Sequence, residues 1–119
     1  MTPVYLYATF LYKGSMNIKE RFQPLRNGLL EFLVLRIIAK RKVYAADILS
    51  ALAATDFKTQ EGTLYPLLSR LRRDGLLEYE WQESEAGPPR KYYSLTIKGE
   101  GYLAEIDEIG VISIKRSIH

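Results

Sequence analysis

Cysteine is absent from this chain of 119 residues, and histidine occurs once, at the last position, His119. Without cysteine there is no disulfide framework, no thiol nucleophile and no cysteine-based zinc site. With its only histidine at the end, the sequence offers no convincing histidine-based triad or metal cluster. Its acidic residues fall mostly in polar runs that are typical of a solvated strand-and-turn surface, such as Glu78, Glu80, Glu83 and Glu85. We therefore expect no catalytic residue, no metal and no cofactor.

Residues 1–15 contain the aromatic, β-prone run Val4-Tyr5-Leu6-Tyr7, which is too short to span a bilayer. The positive charge follows this apolar part, the reverse of the order in a signal peptide. We interpret these residues as an N-terminal extension, added by an upstream start or by cloning, before a domain that begins at Met16. The alternative is an extra strand or tail that packs on the domain. We expect no membrane association.

Composition indicates one compact domain with a modest core, since 47% of the residues are apolar and 26% are charged. The net charge of +3 and the pI near 9.1 permit an anionic partner without requiring one. Neither repeats nor low-complexity segments occur.

Residues 59–77 carry the most informative pattern. Four leucines follow helical i, i+3, i+4, i+7 spacing: Leu64, Leu67, Leu68 and Leu71. The opposite face carries Gly62, Pro66, Ser69 and Arg73, with Thr59, Thr63 and Arg70 on one flank. We predict a helix over residues 59–74, with Thr59 as its N-cap, Gly75 as its left-handed end and a kink or a loosened first turn at Pro66. Its outward face suits a DNA major groove; the alternative is an ordinary amphipathic surface helix.

The segments before this helix predict two more helices. Asn27-Gly28 opens an apolar run that we interpret as a buried central helix. We expect the cations at its end, Lys40, Arg41 and Lys42, to cap it; the alternative is contact with phosphate. An extended link over residues 43–44 leads to a helix over 45–54 and a turn over 55–58. The last two helices form a helix-turn-helix unit, and the first completes a three-helix core.

After Gly75 the apolar period becomes two. Leu77, Tyr79 and Trp81 predict a half-buried strand, residues 84–89 a turn and residues 90–95 a second strand. Such a hairpin is a wing, with Arg90 and Lys91 near its tip, where they would meet phosphate; the alternative is a solubilising pair. Thr96 then caps a last helix, weakened at its start by Gly99 and Gly101, that runs through Tyr102, Leu103, Ile106 and Ile109.

Residues 25–103 resemble the PadR family of bacterial transcriptional regulators. Two separated motifs carry the resemblance: Gly62-Thr63-Leu64-Tyr65-Pro66-Leu67-Leu68, and Arg90-Lys91-Tyr92-Tyr93-Ser94-Leu95-Thr96. The resemblance implies a mainly α fold with a small β hairpin: a winged helix-turn-helix domain (16–98), built from a three-helix core and a two-stranded wing, then a dimerisation-type C-terminal helix (99–119). It also implies a cytoplasmic homodimer that represses by binding double-stranded operator DNA until a small aromatic effector loosens it.

The sequence departs from the family at Pro88, where a basic residue is usual, in its extension, and in its last helix, whose spacing fades after Ile109. We expect phosphate contacts from Arg70, Arg73, Arg90 and Lys91, and base-edge contacts from Thr59, Gln60, Thr63 and Ser69. Tyr65 would pack with its polar tip outward or reach a phosphate. The rival function is a protein-interaction module whose partner surface uses Tyr5, Tyr7, Phe10 or Trp81.

Overall fold

The computed structural model of the chain describes Val4 and residues 18–109. Its elements are four helices and one hairpin: α1 (Ile18–Lys40), α2 (Ala45–Ala53), α3 (Glu61–Arg73), β1 (Leu77–Ser84), β2 (Gly87–Leu95) and α4 (Ile97–Glu108). This order confirms the predicted three-helix core, wing and last helix. Apart from Val4, the expected extension over residues 1–15 lies outside the described residues, as does the segment 110–119.

Helix α1 begins earlier than predicted and is less buried. It starts at Ile18, so Asn27-Gly28 lies in its interior, and it continues through Pro24. Sequence reasoning missed its first ten described side chains, those of residues 19–28, which are all exposed, although Phe22 and Leu25 keep helical i, i+3, i+7 spacing with Leu29. Of its later residues, Val34, Leu35 and Ile38 are buried, and the neighbouring apolar side chains are half-buried. The predicted buried central helix therefore contributes to the core but is only partly buried.

Helices α2 and α3 enclose the core as predicted. Ile48 and Leu52 of α2 are fully buried, and all four leucines of the α3 stripe are buried, with Leu67 the most exposed of them at 7%. The C-terminus of α3 forms a Schellman motif, because the Gly75 amide donates to Arg72 and the Leu76 amide to Leu71. Gly75 takes the left-handed φ of 79° that this motif requires, as predicted.

Strands β1 and β2 pair antiparallel from Leu77↔Leu95 to Ser84↔Gly87, so the turn is shorter than the predicted 84–89. Pro88 and Pro89 belong to β2, beside a register shift between Gln82 and Ser84, where a residue without an amide donor is tolerated.

The predicted link over residues 43–44 pairs with β2 of this sheet. Lys42, directly before it, does not have the capping role that the sequence predicted. Val43 exchanges two backbone hydrogen bonds with Tyr93. Lys42 lies beyond the end of α1 and binds Glu80 of β1 at 2.7 Å instead of capping the helix. This pair raises the pKa of Lys42 and lowers the pKa of Glu80.

Helix α4 is capped by Thr96, as predicted: the Thr96 hydroxyl accepts from the Gly99 amide at 2.9 Å. Gly99 is buried, and a Cβ built on it would lie 2.1 Å from the Leu76 carbonyl oxygen. This glycine therefore lets α4 approach the start of the wing closely, a role that the sequence did not indicate. Leu103 reaches the core, and Asp107 accepts from Arg36 of α1 at 2.6 Å.

Candidate nucleic-acid interface

The face of α3 opposite the leucines is open to solvent. Gly62, Pro66, Ser69 and Arg73 are all exposed. Within residues 18–109, neither the Ser69 hydroxyl nor the Arg73 guanidinium takes part in a side-chain hydrogen bond or an ion pair. The predicted outward position of this face is confirmed, whereas its contact with DNA stays a prediction.

Thr59 is not the N-cap of this helix. The helix begins at Glu61, and the extended residue before it, Gln60, accepts the first backbone bonds, from Thr63 and Leu64 at 3.0 Å. Thr59 lies one residue earlier, half-buried, and its hydroxyl donates to the Phe57 carbonyl at 2.7 Å. The Thr59 hydroxyl therefore bonds to a nearby backbone carbonyl and does not cap the helix. Gln60 is exposed, so both residues lie at the entrance of the helix.

Arg70 is the one predicted phosphate ligand of α3 that already has an ionic partner. Its guanidinium lies 3.2 Å from the carboxylate of Glu31 on α1. Glu31 also faces the Tyr102 hydroxyl of α4 at 3.5 Å. Burial, and then the Glu31 charge, raises the pKa of Tyr102, which keeps the phenol protonated as a donor. The flank of α3 that carries Thr63 and Arg70 therefore faces α1, across a groove of about 320 Å³.

Tyr65 lies on the other flank of α3, which faces the wing. Its side chain is 48% exposed and lines an open groove of about 480 Å³ together with Trp81, Lys91 and Tyr93. Tyr65 therefore forms part of the groove wall, and about half of its surface stays in solvent.

Arg90 and Lys91 occupy opposite faces of β2, opposite Gln82 and Trp81 of β1. The Arg90 guanidinium lies 4.8 Å from the centre of the Tyr44 ring. The Lys91 ammonium lies 4.6 Å from the Tyr79 ring and 5.3 Å from the Trp81 ring. Aromatic faces attract these cations without neutralising them.

Sequence reasoning missed two side chains of this surface, Arg72 and Tyr44, and expected too much burial for a third. Trp81 was expected to be half-buried but is 61% exposed, because its part of β1 extends past the core toward the turn. Arg72 lies 4.6 Å from the Tyr79 ring, and Tyr44 underlies Arg90. Alternation gives the face of a strand residue but not the distance over which the core covers that strand, so it could not reveal the exposure of Trp81.

Four cations of α3 and the wing have no ion-pair partner within residues 18–109. Carboxylates pair with Arg36, Lys42 and Arg70. No ion pair within that range involves the remaining cations near α3 and the wing: Arg72, Arg73, Arg90 and Lys91. The outward side of α3 and the wing therefore presents unneutralised positive charge.

Two other kinds of site find no support in the described part of the chain. No group of three or more potential metal ligands lies together there. None of its helices combines the length and the apolar character needed to cross a membrane.

A three-helix core, a recognition-type third helix and a two-stranded hairpin directly after it define the winged helix-turn-helix class. Residues 34–105 match the Transcriptional regulator PadR-like family, and this chain belongs to that family. The resemblance noted in the two motifs is thereby confirmed. The chain is a DNA-binding transcriptional regulator, and no observation favours the rival protein-interaction module.

Known proteins share both fold and sequence with this chain. A PadR-like transcription factor from Bacteroides fragilis is 43% identical, with a TM-score of 0.69 over 83% of this chain and 95% of that chain. A PadR-like transcriptional regulator from Bacillus cereus is 34% identical, with a TM-score of 0.67 over 76% and 89%. The transcriptional regulator Rv3488 of Mycobacterium tuberculosis is 36% identical over 72 residues, which cover 60% of this chain and 66% of that protein. The winged-helix fold is therefore confirmed.

Proposed function

We propose that this regulator is a repressor that inserts α3 into the major groove of its operator while the wing contacts flanking DNA. The observation that carries this proposal is the exposed face of α3, which no other described residue covers. In this arrangement Thr59, Gln60, Thr63 and Ser69 read base edges. The backbone contacts come from Tyr65, Arg70, Arg73, Arg90 and Lys91.

Chemistry supports this assignment. Gly62 has no atom within 4 Å of the position of a Cβ, so the first turn of α3 offers a small, open surface. The hydroxyls of Thr63 and Ser69 can donate to and accept from base edges. Arg73 stands on the same face and supplies a planar cation suited to phosphate or guanine.

Arg70 can contact phosphate only if it gives up part of an existing ion pair. To reach a phosphate it must leave Glu31 or share its donors, because the two side chains already lie 3.2 Å apart. Exposed ion pairs of this kind contribute about 0–1 kcal/mol, so DNA can displace the carboxylate. Arg70 is therefore proposed as a weaker contact than Arg73.

A second copy of the chain is the partner that we propose for α1 and α4. Phe22 and Leu25 are 53% and 60% exposed on the part of α1 that projects from the core. Ile109, just after α4, is exposed as well. A twofold dimer would bury this apolar surface and place two copies of α3 on two half-sites. In keeping with the family resemblance, we propose that a small aromatic effector relieves repression in the cytoplasm, and that the protein has no enzymatic activity.

The experiment is a binding titration on an operator selected from a random duplex pool, repeated over a range of salt concentrations. Arg73→Ala should weaken binding to all sequences and lower the salt slope by about 0.9 units, as for one lost phosphate contact. Arg21→Ala, an equal change of charge on exposed α1, serves as the control. An unchanged slope would remove Arg73 from the interface.

Thr63→Ala tests the reading of bases. If the contact is direct, the variant should lose about 1–3 kcal/mol at one operator position and little on random DNA. Equal weakening on both duplexes would argue against base recognition by Thr63. A wild-type protein without salt-dependent DNA binding would instead revive the protein-interaction module.

A further inference from the structure

The groove between the wing and the helix-turn-helix contains an exposed aromatic ring, that of Trp81, which the proposed contacts do not explain. Its open volume is about 480 Å³, and aromatic rings and cations line it: Tyr65, Trp81, Tyr93, Arg90 and Lys91. Tyr65 belongs to α3 and Trp81 to β1, so the groove continues the recognition surface onto the wing.

Trp81 is the most unusual residue of this groove. It is the only tryptophan of the chain and is 61% exposed. Contacts hold its ring on one side, because the Tyr79 ring meets it edge to face with the centroids 6.1 Å apart. A large apolar ring that is fixed but uncovered provides contact area at a low cost in conformational entropy.

The positive charge of Lys91 beside Trp81 indicates which class of partner the groove binds. The Lys91 ammonium sits 5.3 Å from the Trp81 ring and has no ion pair in residues 18–109. An apolar ring beside an unneutralised cation matches a polymer in which apolar and anionic groups alternate. The sugar-phosphate backbone of DNA has this alternation, with a deoxyribose next to every phosphate.

We propose that this groove binds one strand of the DNA backbone, with Trp81 packed on a deoxyribose and Lys91 bound to an adjacent phosphate. The inference rests on the proposed function, because it needs α3 on the same duplex. Lys91 is already a backbone contact in that function; the inference adds Trp81, whose contact carries no sequence information and fixes the position of the wing.

Glu61 is the acidic residue that lines the same groove. It lies in the first turn of α3, where a carboxylate stabilises the positive end of the helix. Beside a bound phosphate the same charge would repel the ligand. Glu61→Gln should therefore strengthen DNA binding on any sequence.

Trp81 supplies its own spectroscopic probe, since no other tryptophan contributes to the emission. Titration with duplex DNA should protect the Trp81 fluorescence from acrylamide quenching. Protection should saturate together with the anisotropy of labelled DNA. Unchanged quenching while the anisotropy reports binding would overturn the inference and leave the proposed function intact. Inorganic phosphate alone should give no protection; equal protection by phosphate would show a simple anion site and also overturn it.

Three variants test the energetic claim. Trp81→Ala should weaken binding to operator and random DNA alike, by about five- to twentyfold for the loss of a packed ring. Trp81→Phe should recover part of this loss and shows whether the wing tolerates the change. Lys91→Met, which keeps the aliphatic stem, should lower the salt slope by about 0.9 units. Wild-type affinity in a folded Trp81→Ala variant would refute the inference, and a wild-type protein that binds no duplex would refute the proposed function together with it.

Discussion

Gly99→Ala should destabilise the fold because the added methyl group has no room. Its Cβ would lie 2.1 Å from the carbonyl oxygen of Leu76, so the backbone must separate by about 1.3 Å to reach the 3.4 Å at which ordinary contact begins. The same oxygen accepts from the Thr96 amide at 3.1 Å, so the shift also strains the join between wing and α4.

The expected loss is about 1–3 kcal/mol from overpacking, which the better helix propensity of alanine offsets by no more than about 1 kcal/mol. Thermal unfolding should show a midpoint lowered by roughly 5–10 °C at matched protein concentration.

Gly101→Ala is the matched control for this prediction. Gly101 lies in the same helix, is exposed and has no atom within 4 Å of the position of a Cβ. The control should therefore raise the midpoint slightly, because alanine favours the helix by up to about 1 kcal/mol. If both variants unfolded at or above the wild-type temperature, the close approach of α4 to Leu76 would be refuted.

Three further predictions test the proposed interfaces and the core. Glu31→Gln should raise DNA affinity about 1.5- to 5-fold by releasing Arg70, and an equal gain in an Arg70→Ala background would contradict this coupling. Because burial raises the pKa of Tyr93 above its ordinary 10, only the unfolded chain loses this proton just above pH 10, and stability should fall there as pH rises. Urea unfolding near neutrality and at about pH 11 should show a smaller fall for Tyr93→Phe, and an identical fall would exclude this cause. Phe22→Ser and Leu25→Glu should each convert a dimer into monomers in sedimentation, whereas a monomeric wild type would refute the proposed assembly.

Local signals account for the parts of the fold that sequence reasoning predicted correctly. The leucine spacing of α3, the left-handed Gly75 and the Thr96 cap each depend on residues a few positions apart. Such features can be predicted from the sequence because the interactions that stabilise them join residues close together in the chain. The outward face of α3 followed directly, since the side opposite a buried stripe is exposed unless another element covers it.

The errors arose where distant elements meet. The start of α1 at Ile18 is an exception, because Phe22, Leu25 and Leu29 already follow the helical spacing i, i+3, i+7. The pairing of Arg70 with Glu31 spans 39 positions, and no spacing rule connects them. Trp81 follows the predicted strand alternation, but the core does not extend as far along β1 as Trp81, so its ring is exposed. The candidate site was thus predictable as a face, whereas the partners of its side chains were not.

The most direct test of the central claim is the reactivity of a single thiol on α3. The natural chain has no cysteine, so Ser69→Cys introduces a unique thiol in the middle of the exposed face. Ile97→Cys, at a position that is 89% exposed and lies outside this face, is the control. We predict that saturating operator DNA slows maleimide labelling at position 69 and leaves labelling at position 97 unchanged. Equal labelling of position 69 with and without bound operator would contradict the claim that this face of α3 lies in the major groove.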